Sequence, residues 1–336
     1  MKIAIISINR PSLESSIELK EYLKDYNPTI YTKEGLIVQK DIVKFKKLDD
    51  ILPNIWKEYD AIIAILAVGA VVRKIAPLLK SKESDPAVLV INLKLDRVLP
   101  LLSGHLGGAN ELADIISKRV PNCLNFISTA TDQTDTLAFD MLAKERGWRI
   151  ENIKELAKIS NRLINREVVK VATYETIFNS IENRENLKLI DFKDIDRDSV
   201  VISPTIRSNR LTLTPKVYIG IGCNRGTSRD VIEKSFELFI QTYNIRPDDI
   251  VTVGSFDAKR DEKGLLEFAK GYNFKMEFFK KDDINSLEKE FTKSASTKFF
   301  GLKGVAEPSA VLASEYRELV IKKKVYFNAV TIALAV

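Results

Sequence analysis

Pro100-Leu-Leu-Ser-Gly-His-Leu-Gly-Gly-Ala-Asn-Glu-Leu-Ala-Asp114 passes from a strand pattern through a glycine-rich turn into a helical pattern. Val98, Leu99, Leu101 and Leu102 read as a short buried strand, and Ala109, Leu112, Ala113 and Ile116 recur at helical spacing. Between them stand Gly104, Gly107 and Gly108 and the only histidine of the chain, His105. Glycine permits positive φ and a close approach of backbone to a bound group. N–H groups at a helix N-terminus favour anions, and imidazole exchanges a proton near neutral pH. A glycine turn with a packed histidine is the plainer reading. The meeting of all three features at one strand-to-helix junction favours a functional loop.

Outward from this stretch, strands and helices alternate. Apolar runs at 3–8 and 61–68 read as strands buried on both faces, and 87–91 and 97–102 as two strands joined by a short polar turn. A further strand is expected at 123–127, with helices from about Ser12, over 47–58, after Gly69 and after Gly108. Residues 134–210 are less regular, with helices expected at 135–146 and 152–165, strands at 167–173 and 199–203, and a linker at 207–215. A second unit then repeats strand, glycine turn and helix: strands at 217–222, 250–256, 275–279, near 317–321 and 326–334, and helices at 228–243, 264–271, 284–292 and 307–315. The fold class expected is α/β, two three-layer α/β/α units with mostly parallel or mixed sheets. The expected domains are 1–210, with a small subdomain at about 134–210, and 211–336. In such sheets ligands collect beyond the carboxyl ends of strands, where the loops at Gly69, Gly104 and Ser128 are expected.

Composition narrows the function classes. The 336 residues allow two or three domains, and the net charge of +6, from 52 basic against 46 acidic residues, suits a polyanionic ligand at least as well as nucleic acid. No dense Lys/Arg tract with interleaved aromatics is present, so a nucleic-acid partner is not expected. Two cysteines, Cys123 and Cys223, cannot build a disulfide framework and point to a reducing cytoplasm. With one histidine and two distant cysteines, no protein-built metal site is expected. The uncharged stretch 61–72 is shorter than the roughly 20 residues of a membrane span, so no membrane partner is expected. Assembly as a homodimer is left open.

Three other motifs carry candidate chemistry. Gly220-Ile-Gly-Cys-Asn-Arg-Gly-Thr227 lacks the spacing of a dinucleotide fingerprint and the lysine of a phosphate loop. What remains is a set of backbone donors with Arg225 and Thr227, suited to carboxylates or to a plain helix cap at Thr227. Asp257-Ala-Lys-Arg-Asp-Glu-Lys-Gly264 is either a turn of mutually paired charges or a grip for an anionic arm through Lys259. Glu307 and Pro308 open a helix, where both are favoured structurally. Arg73 and Lys74 flank an apolar helix after Gly69, ordinarily as surface groups.

Taken together, these stretches resemble the CbiG family, the cobalt-precorrin 5A hydrolases of anaerobic cobalamin biosynthesis. The resemblance rests on Val71 to Leu79, Lys82 to Val88, Pro100 to Asn110, Gly220 to Thr227, Asp257 to Leu265, Gly304 to Ala310 and Val330 to Ala333. Asn224 stands where a basic residue is expected, and Ser255-Phe256 where Thr-Ile is usual. The C-terminal unit also resembles CobE, a stand-alone protein of the aerobic route.

The resemblance implies a ring-contracted cobalt tetrapyrrole substrate whose δ-lactone is hydrolysed, with loss of acetaldehyde to give cobalt-precorrin 5B. The cobalt travels with the substrate, so no cofactor is expected. Such chemistry needs an activated water, donors for a tetrahedral oxyanion and proton transfer. His105 is the general base expected, with Ser103 and Asn110 in the catalytic set. Arg73, Gly104, Gly107, Gly108, Gly220, Gly222, Arg225, Gly226, Thr227, Lys259 and Glu307 are the expected substrate-binding residues. A C-terminal module shared by two routes of different chemistry suits binding, which leaves hydrolysis to the N-terminal unit. Two alternatives stay open: a non-catalytic tetrapyrrole carrier with His105 on the cobalt, and a nucleotide-binding protein using the Gly220 loop.

Overall fold

The computed structural model describes residues 1–36, 41–81, 84–128, 136–293 and 301–336. The matched residues Lys82 and Glu83, the expected loop from 129 to 132 and the expected helix start at 135 lie outside the described residues. The chain forms two compact units, Met1–Thr136 and Leu137–Val336.

In the first unit, β1 (Ile3–Ser7), β2 (Thr29–Lys33), β3 (Val43–Phe45), β4 (Ala61–Ala64), β5 (Ala87–Ile91), β6 (Arg97–Leu102) and β7 (Leu124–Asn125) form one sheet, in the order β3-β2-β1-β4-β5-β6-β7. The helices are α1 (Arg10–Tyr22), α2 (Leu48–Glu58), α3 (Val68–Ile75) and α4 (Ala109–Arg119). Strand side chains alternate between faces, and the cores follow that alternation. Ile3 and Ile5 of β1 join one cluster with Leu13 and Leu19 of α1 and Leu112 and Ile116 of α4. Ala4 and Ile6 join the other, with Leu52 and Ile55 of α2 and Val71 and Ile75 of α3. This is the expected three-layer arrangement. Asn9 begins α1 with a capping box: its side chain accepts the Ser12 N–H, and Ser12 Oγ accepts the Asn9 N–H at 3.1 Å.

One expectation about this sheet is corrected. β1, β2, β3, β4 and β5 run parallel, but β6 is antiparallel to β5, with Val88 opposite Leu102 and Ile91 opposite Val98. The turn between them is too short for a crossover, and a short turn forces antiparallel pairing. Asn92 builds that turn, its Oδ1 accepting the N–H groups of Asp96 and Arg97 at 3.1 and 3.2 Å. The loop after β6 therefore lies at the amino-terminal edge of β5, opposite the edge where β4 leads into α3. The Gly69 and Gly104 loops do not share an edge. Gly69 is itself the second residue of α3, because β4 stops at Ala64 rather than at 68.

The second unit holds two sheets. β8 (Arg149–Glu151), β9 (Val169–Ala172), β10 (Leu187–Ile190), β11 (Val200–Ile202) and β12 (Thr212–Thr214) make the first, in the order β10-β9-β11-β12-β8, parallel except for β8. With it go α5 (Phe139–Glu145), α6 (Leu156–Ile164) and α7 (Glu175–Asn179). The expected linker at 207–215 is instead partly β12, whose three residues are buried. β13 (Val217–Cys223), β14 (Ile250–Phe256), β15 (Lys275–Phe279), β16 (Leu319–Tyr326) and β17 (Val330–Ala335) form the other sheet, in the order β15-β14-β13-β17-β16. α8 (Arg229–Thr242), α9 (Lys263–Tyr272), α10 (Lys281–Ser286) and α11 (Ala306–Ala313) accompany it. A single core joins Phe139, Val171 and Ile202 of the first sheet's surroundings to Ile219, Phe236, Phe268 and Ile332 of the second. The segment expected as an appendage of the N-terminal unit thus packs in the second unit, since its apolar face is continuous with the C-terminal sheet's.

Candidate functional site

β6 delivers the chain to Ser103, which takes φ 56, and α4 collects it at Gly108, at φ 83. Between them the loop closes on itself. The Gly108 N–H donates to the His105 carbonyl at 2.9 Å, the Ala109 N–H to the Ser103 carbonyl at 3.1 Å and the Asn110 N–H to the Gly104 carbonyl at 3.0 Å. Ser103 Oγ donates to the Asp85 carbonyl at 2.9 Å, anchoring the loop to the entry of β5. A Cβ on Gly107 would stand 2.4 Å from Ser103 Cβ and 2.8 Å from the Ser103 carbonyl oxygen, so that position requires glycine, while one on Gly104 would press on the Asn110 side chain at 2.7 Å. Ser103, His105 and Asn110 are gathered in one turn, with His105 half-buried. Gly108, expected among the substrate-binding residues, uses its N–H to close the turn, as do Ala109 and Asn110.

Arg73 stands exposed on α3, its Nη1 donating to the Gly69 carbonyl one helical turn back at 2.9 Å. Lys74 pairs with Asp49 at 2.7 Å.

In the second unit the parallel strands β13 and β14 end side by side, and their loops interlock around one carboxylate. Glu262, 4% exposed, accepts the Gly226 N–H at 2.7 Å through Oε1. Its Oε2 accepts Lys259 Nζ at 3.1 Å and Arg225 Nη1 at 3.5 Å. Arg225 also donates to Asp261 at 2.5 Å, and Arg260 to Asp257. Burial pushes the Glu262 carboxyl up, but the Gly226 N–H, the Lys259 ammonium and the Arg225 guanidinium together outweigh it and hold it below the usual glutamate value. Arg225, Gly226 and Lys259 lie together around Glu262, and the charges of 257–262 pair with one another and with Arg225, as the mutually paired reading of this run expects. Glu262, the group that joins them, was not among the expected residues. Among the six charged residues of 257–263 its burial leaves no mark; only its position just before Gly264 and an apolar helical pattern hinted at an inward-facing N-cap. Burial also pushes the Cys223 thiol up to about 11, which keeps it protonated near neutrality.

Other expected binders of this unit have structural work. Gly220 and Gly222 lie inside β13, paired with Ala333 and Thr331 of β17. A Cβ on Gly220 would meet the Ala306 carbonyl oxygen at 1.8 Å, so its lack of side chain lets α11 pack on the strand. Both stand in the strand expected at 217–222, where Gly220 serves packing. Thr227 does not cap α8: its hydroxyl donates to the Asn224 carbonyl at 2.8 Å, and Ser228 holds the N-cap position. Glu307 is 2% exposed, and its carboxylate accepts from the Thr292 N–H, the Thr292 hydroxyl and the Lys323 N–H at 2.7, 2.7 and 2.8 Å. A carboxylate buried and held by three donors braces the chain at residues 292 and 323 against the start of α11.

Comparison with known proteins follows this division of the chain. The family described as cobalamin synthesis G N-terminal matches residues 50–132, the cobalamin biosynthesis central region 137–217, and the cobalamin synthesis G C-terminus 217–335. A cobalt-precorrin-5A hydrolase of Priestia megaterium is 32% identical over 307 residues, covering 85% of this chain and 80% of the relative. The chain belongs to the CbiG family. A second member, the cobalt-precorrin-5A hydrolase of Salmonella typhimurium, is 28% identical over 270 residues, covering 76% of this chain and 77% of that one. Protein CobE of Sinorhizobium is 27% identical over 124 residues, covering 35% of this chain and 79% of its own. Among the described residues, no helix of this CbiG-family chain is long and apolar enough to cross a membrane.

Proposed function

We propose that this chain hydrolyses cobalt-precorrin 5A, opening its δ-lactone and releasing acetaldehyde to leave cobalt-precorrin 5B. The observation that carries the reading is the relationship to cobalt-precorrin-5A hydrolases over 85% of the chain. Water adds to the lactone carbonyl, the acyl C–O bond breaks, and a carboxylic acid and a hydroxyl result. Removal of the hydroxyl proton then lets the alkoxide collapse to a carbonyl as the C–C bond to the ring breaks, its electron pair passing into the conjugated macrocycle, and the former meso carbon leaves with its methyl group as acetaldehyde.

His105 is the base for this sequence, because imidazole is largely neutral at working pH and the surrounding turn holds it half-buried. The turn also fixes Ser103 and Asn110 beside it. Peripheral carboxylates of the substrate meet Arg225 and Lys259, whose positions Glu262 sets. The cobalt is part of the substrate, and no separate cofactor enters. The setting is the cytoplasm, and nucleic acid is not among the ligands. Acetaldehyde trapped from purified protein with cobalt-precorrin 5A tests the reading: stoichiometric release supports it, and binding of the substrate without release would reduce the protein to a carrier.

A further inference from the structure

The sheet of the first unit is covered unevenly. On one face α1 and α4 bury β1, β4, β5 and β6 together, Val98 included. On the other, α2 and α3 pack over Ala4, Ile6, Ile62, Ala64, Val88 and Val90, and past β5 the face runs on as Arg97, Leu99 and Leu101 of β6. Leu124 of β7 sits opposite Arg97 in the register, and Phe126 follows on the same side by strand alternation. Leu124 is 59% and Phe126 65% exposed. A cavity of about 410 Å³ lies on this face, bounded by Val68 at the start of α3, Val90, Arg97, Leu99, Leu124 and Phe126. A second hollow of about 550 Å³ adjoins it through Leu66, Ala67 and Asn92 and brings in Lys94.

We propose that this shelf seats the flat apolar face of the cobalt tetrapyrrole. In this pose Lys94 and Arg97 hold carboxylate arms at one edge, and the lactone lies toward the Ser103–Gly108 loop at the other. The inference rests on the hydrolase reading. Exposed aliphatic and aromatic side chains in one contiguous hollow mark a ligand surface, and an apolar floor with a few charged groups at its rim matches a macrocycle whose polar groups are all peripheral. Arg97 is exposed; its Nη1 donates to the Asp96 carbonyl at 2.6 Å and stands 3.9 Å from the Asp96 carboxylate, which leaves further guanidinium N–H groups for a carboxylate arm.

The test uses the full chain with Phe126→Ala and Leu124→Glu, and Phe327→Ala as a control at an exposed turn of the second unit. Binding is titrated by visible absorbance with cobyrinic acid, a cobalt corrinoid with free carboxylates, and acetaldehyde release is measured from cobalt-precorrin 5A. Thermal unfolding of each variant verifies that it is folded. Both shelf variants should raise Kd at least ~10-fold while Phe327→Ala leaves it unchanged. Parent-like binding by both shelf variants overturns the shelf, even where the parent releases acetaldehyde and the hydrolase reading stands. Shelf-dependent binding without acetaldehyde release sustains the shelf and removes the hydrolysis. No binding by the parent overturns the shelf, and with no acetaldehyde release it overturns the hydrolase reading as well. Loss of self-association in Phe126→Ala with unchanged corrinoid binding makes the face a contact between copies and also overturns the proposal.

Discussion

Glu262 Oε1 accepts the N–H of Gly226 at 2.7 Å, so a carboxylate buried in the loop after β14 fixes the backbone of the loop after β13. Hydrogen bonds to charged groups contribute about 1.5–3 kcal/mol. Glu262→Gln should therefore lower stability by roughly that amount, read as a shift in the urea midpoint, and weaken binding of a carboxylate-bearing tetrapyrrole. The pH dependence follows from the sign of the shift. The carboxyl is held below its ordinary value, so its contribution is complete above the unfolded pKa of ~4.3 and is lost as pH falls through the folded value. The parent should lose stability below about pH 4 more steeply than Glu262→Gln. Parallel pH profiles would remove the carboxylate from the account.

Glu307 should behave differently. Glu307→Ala strands the three donors that now meet its carboxylate and should cost about 3 kcal/mol or more, lowering Tm by several degrees. Tetrapyrrole affinity per folded molecule should stay the same. A Kd raised tenfold in a variant of parental Tm would return Glu307 to the binding site.

Two glycines of one motif should separate cleanly. Gly220→Ala must force α11 off β13, because its Cβ would lie 1.8 Å from the Ala306 oxygen, and should cost on the order of 3 kcal/mol or prevent folding. At Gly226 no neighbour lies within 4 Å, and only the φ of 77° opposes a side chain. Gly226→Ala should cost about 1 kcal/mol. Chemical denaturation of both variants gives the comparison.

His105→Gln should fold and bind, yet release acetaldehyde ~100- to 10,000-fold more slowly in a single turnover, the usual loss when general-base help is removed. A histidine that merely packs the loop would lower Tm and leave turnover per folded molecule unchanged. A histidine on the cobalt would shift the visible spectrum and the affinity together with the rate.

The elements of this fold were legible where apolar pattern alone decides them. The strands 87–91, 97–102, 250–256 and 275–279 stand at their expected bounds, and α4 begins where Ala109 opens the helical spacing. Strand direction was not legible in that pattern, because Val98 and Leu102 look alike in a parallel or an antiparallel neighbour of β5. The signal existed in the turn 92–96, whose brevity excludes a crossover. The end of β4 was misplaced because Ile65 and Leu66 prolong the apolar run after the backbone has left the sheet. Arg225 and Lys259 could be proposed from residue type, but the group joining them needed burial, which a charge run does not reveal. Gly220 and Gly226 look equivalent in sequence, and only the approach of α11 tells packing from loop.

The core from Phe139 to Val336 crosses residue 217, where the central and C-terminal family segments meet. Tyr316 lies against Trp148 and accepts from Arg146 at 3.2 Å, while Arg149 reaches Asp249 at 2.7 Å. Inheritance and cooperativity therefore divide this chain in different places. A truncation that begins at Lys216 should melt lower than the intact second unit, because it uncovers one side of a shared interior. A stand-alone C-terminal module can circulate only after the counterparts of Tyr316 and Asp249 have been refitted to face water.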